Sequence, residues 1–305
     1  MFSVRIWGDR GSMPTPGPDT VLFGGNTSCL EVRCGERIII VDAGSGIRKL
    51  GDKLMREDLP KGPISADILI THTHWDHIIG FPMFTPIFVP GTRLRIRGPV
   101  SYEDDSLEKV FAGLLSYRYW PVRQEELSAK IEYQAIRETT IDLGDGIFVT
   151  TKYLNHPILC LGYRIEYKGK AFVTVYDNEP FVNVFPTDPA DPSYDEEAAR
   201  EGEEAAREEN EKILRFCQGA DLLVHDTQYT AKEYNAGKRG WGHSSYEYAI
   251  NCAHKARVKR LVLFHHDPNR SDPELQELEL FYQGKVRGRT GLEVEMAREG
   301  KLYTL

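Results

Sequence analysis

The apolar positions of this chain gather in short runs separated by glycine, proline and charged residues. Phe2, Val4 and Ile6 alternate with polar neighbours, the two-residue period of a half-buried strand. Farther on, Ile68-Leu69-Ile70, Ile147-Phe148-Val149-Thr150, Phe172-Val173-Thr174-Val175-Tyr176, Leu222-Leu223-Val224 and Leu261-Val262-Leu263-Phe264 are continuous runs of strand length. Lys168-Gly169 between two strands predicts a hairpin turn, so the sheet is not all-parallel. Ala249, Cys252, Ala253 and Ala256 form a helical stripe behind a capping box at Ser244 and Glu247. Leu275, Leu278 and Tyr282 form another, behind a cap at Asp272 and Pro273 as first helical residue. Residues 194–216 are rich in alanine and glutamate, with large apolar groups only in the last turns, which predicts a solvated helix placed to act as a flap. Residues 99–140 read as mainly helical, with Tyr117, Tyr119 and Trp120 before Pro121, and a strand pair is expected around Gly300.

Composition narrows this α/β pattern. The 305 residues are 41% hydrophobic and 28% charged, enough for a sizeable core. They read as a single domain over 1–305 with helical insertions near 99–140 and 183–216. No apolar stretch approaches the roughly 18 to 20 residues that span a membrane. The first strand begins at once, without the charged and apolar segments of a secretion signal, which argues for a cytoplasmic protein. Cys29, Cys34, Cys160, Cys217 and Cys252 are odd in number and show no C-x-x-C spacing, so they read as reduced and buried. The net charge of −8, with no block of Lys and Arg, disfavours a long nucleic acid as partner and favours a small anionic substrate. The sequence is compatible with a homodimer and fixes no oligomeric state.

The chemistry concentrates in Thr71-His72-Thr73-His74-Trp75-Asp76-His77, where three imidazoles and a carboxylate follow a predicted buried strand. Neutral imidazole and carboxylate suit Zn2+, Mn2+ or Fe2+, and without a nearby cysteine the set is not the closed thiolate cage of a structural zinc. In extended backbone His72 and His74 point to the same side. Asp76 and His77 follow a turn later and can face a second ion.

This run resembles the signature of the metallo-β-lactamase superfamily of metal-dependent hydrolases, and the resemblance implies a four-layer αββα sandwich. It also implies ligands at later strand ends, and the chain has a residue for each: His156 in Asn155-His156-Pro157, Asp177 closing Phe172–Tyr176, and His265 after Leu261–Phe264. On the family's pattern His72, His74, His156 and Asp177 hold one divalent ion. Asp76, His77, Asp177 and His265 hold the other, so Asp177 is shared. Zn2+ is the first expectation, and Mn2+ and Fe2+ accept the same ligands. Two such cations bring the pKa of a water between them down toward 7, which makes a nucleophile at neutral pH. Asp42 matches a buried aspartate that supports the ligand loop. His266 competes with His265, which holds the family's position directly after the strand.

A second pairing is similar to the ribonuclease Z-like phosphodiesterase branch, where an acidic residue orients a histidine that protonates the leaving oxygen. The resemblance gives those roles to Asp226, after Leu222–Val224, and to His243, expected to be exposed just ahead of a helix; Asp76 is the third catalytic candidate. His225 is expected to support the fold and His254 to lie on the surface. The function implied is hydrolysis of a small phosphodiester, such as a cyclic nucleotide or cyclic phosphate. A tRNA 3′-processing endonuclease is the first alternative, though its substrate-gripping arm has no counterpart between His156 and Asp177. A lactam or thioester hydrolase would leave Asp226 and His243 without a role. A metal-stabilised binding protein without turnover fits worst, because all seven ligand positions are filled. Asn178-Glu179 departs from the threonine and glutamate that many relatives have after the shared aspartate, and the ligand survives the change.

Overall fold

The alternating segment Phe2–Gly8 forms β1, and Cys29–Cys34 (β2) and Arg37–Val41 (β3) continue it as an antiparallel meander. The chain then changes mode. Helix α1 (Ile47–Glu57) leads to β4 (Ser65–Leu69), which lies parallel to β3. The short helix α2 (Trp75–Ile78) precedes β5 (Arg93–Gly98), and helix α3 (Leu107–Leu114) precedes β6 (Lys130–Ala135), both strands again parallel. A second antiparallel meander follows in β7 (Thr140–Gly144), β8 (Ile147–Leu154), β9 (Cys160–Tyr167) and β10 (Lys170–Val175). The hairpin turn falls where the sequence predicts it, with Lys168 at φ 51° and Gly169 at φ 73°.

Helix α4 (Glu196–Cys217) then opens a second parallel series. It contains β11 (Leu222–Asp226), helices α5 (Ala231–Asn235) and α6 (Tyr246–Lys255), β12 (Arg260–Phe264), helix α7 (Asp272–Val286) and β13 (Glu293–Met296). Strand β14 (Leu302–Thr304) returns to pair with β1. The computed structural model describes residues 1–99, 106–287 and 291–305. Within them one sheet runs β14-β1-β2-β3-β4-β5-β6 and the other β13-β12-β11-β10-β9-β8-β7.

Three apolar layers hold the sheets and helices together. Val4, Leu30, Val32, Ile39, Val41 and Leu69 of the first sheet meet Val149, Ile165, Phe172, Val224, Val262 and Phe264 of the second. Outside the first sheet, Leu50 and Leu54 of α1 and Phe111 of α3 cover Ile40, Ile68 and Ile96. Outside the second, Ile213 and Phe216 of α4, Ala249 and Ala253 of α6 and Leu275 of α7 cover Val173, Leu223 and Leu261. Burial on both faces is why these strands read as continuous apolar runs. The result is the four-layer αββα sandwich that the resemblance implied.

Local expectations shift in several places. In 99–140 only α3 and one short turn, Gln124–Glu126, are helical; residues 100–105 of that segment lie outside the described residues. The rest supplies β6, because Ile131 and Tyr133 alternate with Lys130, Glu132 and Gln134 and pack at the sheet edge. The helix predicted over 194–216 begins at Glu196 and packs on α6 through its last turns. Ser245 rather than Ser244 caps α6, accepting from Tyr248 N, while Ser244 Oγ turns inward and donates to the Asn178 carbonyl at 2.5 Å. Ser271, not Asp272, caps α7; Asp272 accepts from Leu22 N at 2.6 Å and Phe23 N at 3.1 Å instead. The strands around Gly300 do not pair, since β13 belongs to one sheet and β14 to the other. No helix among the described residues is long and apolar enough to cross a membrane.

Candidate metal centre

The parallel strands β3, β4, β10, β11 and β12 end on one rim, and the residues that close or follow them are Asp42, the 71–77 run, Asp177, Asp226 and His265. In α/β sheets the carboxyl ends of parallel strands form the natural binding crevice. Antiparallel β8 delivers His156 to the same place. Asp42, Asp177 and His265 have φ values of 62°, 39° and 64°, left-handed backbone that costs a non-glycine residue about 1–3 kcal/mol. All three swing a side chain across a strand end toward the centre.

All seven predicted ligands converge. Asp177 Oδ2 stands 3.5 Å from His72 Nε2 and 3.8 Å from His156 Nε2, and His156 Nε2 is 3.1 Å from His74 Nδ1. The other oxygen, Asp177 Oδ1, stands 3.3 Å from His77 Nε2 and 3.3 Å from His265 Nε2. Asp76 Oδ2 closes that second set at 3.3 Å from His77 Nε2 and 3.1 Å from His265 Nε2. Each set gathers its four donor atoms within 4.8 Å of one another. One carboxylate thus offers one oxygen to each set, the arrangement of a bridging ligand.

The donor chemistry fits divalent cations. His72 Nε2, His77 Nε2 and Asp177 Oδ1 are buried and have no hydrogen-bond partner, a costly state for protein atoms facing only one another. Burial holds His72 well below the ordinary imidazole value and His156 at about 4, so both present lone pairs at neutral pH. Burial alone would raise Asp177, yet His265, His77 and His72 hold it well below the usual carboxylate range. Outer partners fix the rings. Asp42 Oδ2 accepts from His77 Nδ1 at 2.7 Å, and the Gly242 carbonyl accepts from His156 Nδ1 at 3.0 Å, which leaves Nε2 of each ring to face the centre. Asp42 also accepts from Thr71 N at 2.7 Å and from its hydroxyl at 2.8 Å, tying the ligand loop to the end of β3.

The structure also brings Asp226 and His243 together. Asp226 Oδ2 lies 3.1 Å from His243 Nδ1 and accepts from Ser244 N at 3.1 Å and Asn178 N at 3.2 Å. His243 is only 9% exposed, not the exposed residue expected, because its ring stacks on His265 with centroids 4.9 Å apart. Burial alone would lower its pKa; Asp226 outweighs that and, with Asp177 and Asp76, raises it to about 9. His225 is buried with Nδ1 on the Asp226 carbonyl at 2.8 Å, and His254 is exposed, as expected of both. His266 faces away from the centre, its Nε2 donating to the Ala297 carbonyl at 3.1 Å. The five cysteines are buried and unpaired; Cys160 Sγ sits 3.7 Å behind His72 Nδ1, and burial pushes its thiol well up, away from nucleophilic use.

Sequence reasoning missed three supporting residues. Glu179 accepts from Gly240 N and Gly242 N, each at 2.8 Å, and from Tyr234 Oη at 2.6 Å, so it clamps the loop that carries His243 and the Gly242 carbonyl. Gly242 itself has φ 81°, and a Cβ there would lie 2.4 Å from His156 Nδ1. Ser12 donates its backbone N–H to Asp76 Oδ2 at 2.8 Å from the opposite wall. The acidic residue two places past Asp177, the glycine before His243 and the glycine before Ser12 were the available signals, but none says which loop it will meet.

An αββα sandwich with a cradle of this kind is that of a divalent-metal-dependent hydrolase. Residues 22–169 match the profile of the Metallo-beta-lactamase superfamily. The ribonuclease Z of Lactococcus lactis subsp. cremoris (strain SK11) is 30% identical over 233 residues, 65% of this chain and 69% of that protein. The ribonuclease Z of Thermoplasma acidophilum is 25% identical over 324 residues, covering 96% of this chain and 97% of that one. Among solved structures, the metallo-beta-lactamase fold protein YhfI from Bacillus subtilis superposes with a TM-score of 0.63 at 19% identity, covering 99% of this chain and 98% of that one. The chain belongs to the metallo-β-lactamase superfamily, among its ribonuclease Z-like hydrolases.

Proposed function

We propose that the chain hydrolyses a phosphodiester at a dinuclear metal centre, with His243 protonating the leaving oxygen. The observation that carries this reading is the Asp226–His243 pair, 3.1 Å apart, stacked against His265 of the second ligand set. An alkoxide is a poor leaving group and needs a proton as its bond to phosphorus breaks. A lactam or thioester hydrolase gives this buried pair no comparable task.

Two divalent ions, when bound, supply a deprotonated water near neutral pH and offset negative charge around phosphorus. The chain's own residues do the rest. His72, His74, His156 and Asp177 would hold one ion and Asp76, His77, Asp177 and His265 the other, with Zn2+ first and Mn2+ or Fe2+ as alternatives. Asp226 occupies Nδ1 of His243, so the transferable proton sits on Nε2. The left-handed turns at Asp177 and His265 set the carboxylate and imidazole in place before substrate arrives.

The substrate has two readings. The relatives' name favours cleavage of a tRNA precursor near its 3′ end, and the length over which the Thermoplasma acidophilum protein matches supports it. A small diester is supported by the stretch from His156 to Asp177, which holds only β9, β10 and their two-residue turn. The test is a metal-loaded sample of measured metal content, offered bis-p-nitrophenyl phosphate, cyclic nucleotides, linear dinucleotides and a tRNA precursor. Turnover of the first compound with two ions per chain is expected. A loaded protein inert on every diester, or one that saturates at a single ion, refutes the proposal.

A further inference from the structure

The loop from Lys238 to Gly242 carries side chains that neither ion set nor the Asp226–His243 pair uses. Trp241 is 56% exposed although it stands two residues from a buried histidine. Lys238 Nζ lies 3.8 Å from the centroid of its indole and 5.5 Å from that of Tyr229. Tyr229 in turn meets the His243 ring edge-on, centroids 6.2 Å apart at 74°. One buried phenol therefore lies between the Lys238 ammonium and the proton donor. The loop is firmly held: Glu179 clamps Gly240 and Gly242, and the Gly242 carbonyl orients His156. A large indole kept in water by so fixed a backbone, with a cation over its ring, has the form of a stacking surface.

We propose that Trp241 and Lys238 form the subsite for the leaving half of the diester, and that this half is a nucleoside whose base stacks on the Trp241 indole. The inference rests on the phosphodiester reading above. His243 fixes the side, because the oxygen it protonates departs toward it, and Tyr229 joins that histidine to Lys238. Stacking accepts any base, since every base has a π face. Lys238, separated from His243 by the Tyr229 ring, adds positive charge beside a centre that holds Asp76, Asp177 and Asp226. Trp75, 74% exposed between His74 and Asp76, is a matched comparison on the same rim. His74 Nδ1 is 3.1 Å from His156 Nε2, and His156 Nδ1 is 3.0 Å from the Gly242 carbonyl.

The test uses the metal-loaded full chain and two five-membered cyclic phosphates, uridine 2′,3′-cyclic phosphate and the base-free glycerol 1,2-cyclic phosphate. In the first, either leaving oxygen belongs to the nucleoside. Trp241→Ala should lower the ratio of kcat/KM for the nucleotide over the base-free compound by about tenfold or more, chiefly through KM. Trp241→Phe should keep most of that ratio, and Trp75→Ala should move it less than Trp241→Ala. An unchanged ratio in Trp241→Ala, or an equal fall in Trp75→Ala, overturns the assignment. Calorimetric binding of uridine 3′-phosphate gives a readout free of turnover: Trp241→Ala should weaken it about tenfold, and a wild type that does not bind it also overturns the subsite. A wild type that binds the nucleotide through Trp241 yet cleaves neither cyclic phosphate, nor any other diester of the panel above, sinks the phosphodiesterase reading and leaves the subsite standing.

Discussion

The proposed ion cradle and the proposed proton-donor pair share one rim but are built differently. Five of the seven proposed ligands, His72, His74, Asp76, His77 and Asp177, lie on the two segments that follow β4 and β10, the first of which runs into α2, so the sheets themselves place them. The pair is assembled from three segments: Asp226 closes β11, His243 rides a glycine-bounded loop, and Asn178 and Glu179 hold both from a third strand end. Strand ends are locked by apolar layers, whereas the 240–242 loop is fixed by the Glu179 carboxylate, so loss of that one group releases it alone. Proton transfer should therefore be separable from ion binding, and the reverse should not hold.

The largest effect is expected from Asp177→Ala, which removes an oxygen from each ligand set. Metal analysis after dialysis should fall from two ions per chain to fewer than one. Turnover should drop beyond the roughly 10²–10⁴-fold that loss of one general acid costs. Retention of both ions would break the bridge assignment. His243→Ala comes next. It should keep two ions and lose about 10²–10⁴-fold on a diester with an alkyl leaving group. On bis-p-nitrophenyl phosphate the loss should be much smaller, because that phenolate departs without a proton. Equal losses on both substrates would remove His243 from the donor role.

Glu179→Gln sharpens the contrast further. A glutamine has one acceptor oxygen where Glu179 serves three donors, so the 240–242 loop should loosen while the strand-end ligands stay. The expected loss is about 10–100-fold, the usual cost of disturbing partners that orient a metal site. It should be greater for the alkyl than for the p-nitrophenyl leaving group, as with His243. A loss that is the same for both, with metal content reduced, would mean that Glu179 acts through His156 instead.

The same contrast explains what could be read from the sequence. The 72–77 run was legible because imidazoles and a carboxylate cluster within six residues after an apolar strand. His156, Asp177 and His265 needed the family pattern, since a lone polar residue at a strand end has many causes. The fold was legible through its buried strands, while β6 was not, because its Ile131 and Tyr133 are only half covered and too few to stand out beside helical neighbours. His243 meets Asp226 as expected but is buried where exposure was expected: nothing local reveals that His265, twenty-two residues on, will stack over it. The cap shifted by one residue for a related reason. Both Ser244 and Ser245 can cap, and the choice is made by Asn178, which takes the Ser244 hydroxyl.

The smallest expected effect lies away from the rim and gives a scale for the rest. Glu31 on β2 is 2% exposed and accepts from Trp7 Nε1 at 3.0 Å, Arg33 Nε at 2.6 Å and Lys53 Nζ at 2.6 Å. Burial alone would raise its carboxyl, but Arg33 and Lys53 outweigh that and hold it below the ordinary 4.5. A depressed carboxyl stabilises the fold fully above its unfolded value and loses that contribution as pH falls through the folded one. Glu31→Gln should thus cost about 1–3 kcal/mol in urea unfolding near pH 7, and the gap to wild type should close in acid below 4.5. Running both proteins with a chelator makes loss of ions common to the pair. A gap that widened in acid would reverse the sign of the linkage. A gap that closed while Asp177→Ala still unfolded normally would show that Asp177 serves the ions and Glu31 the sheet.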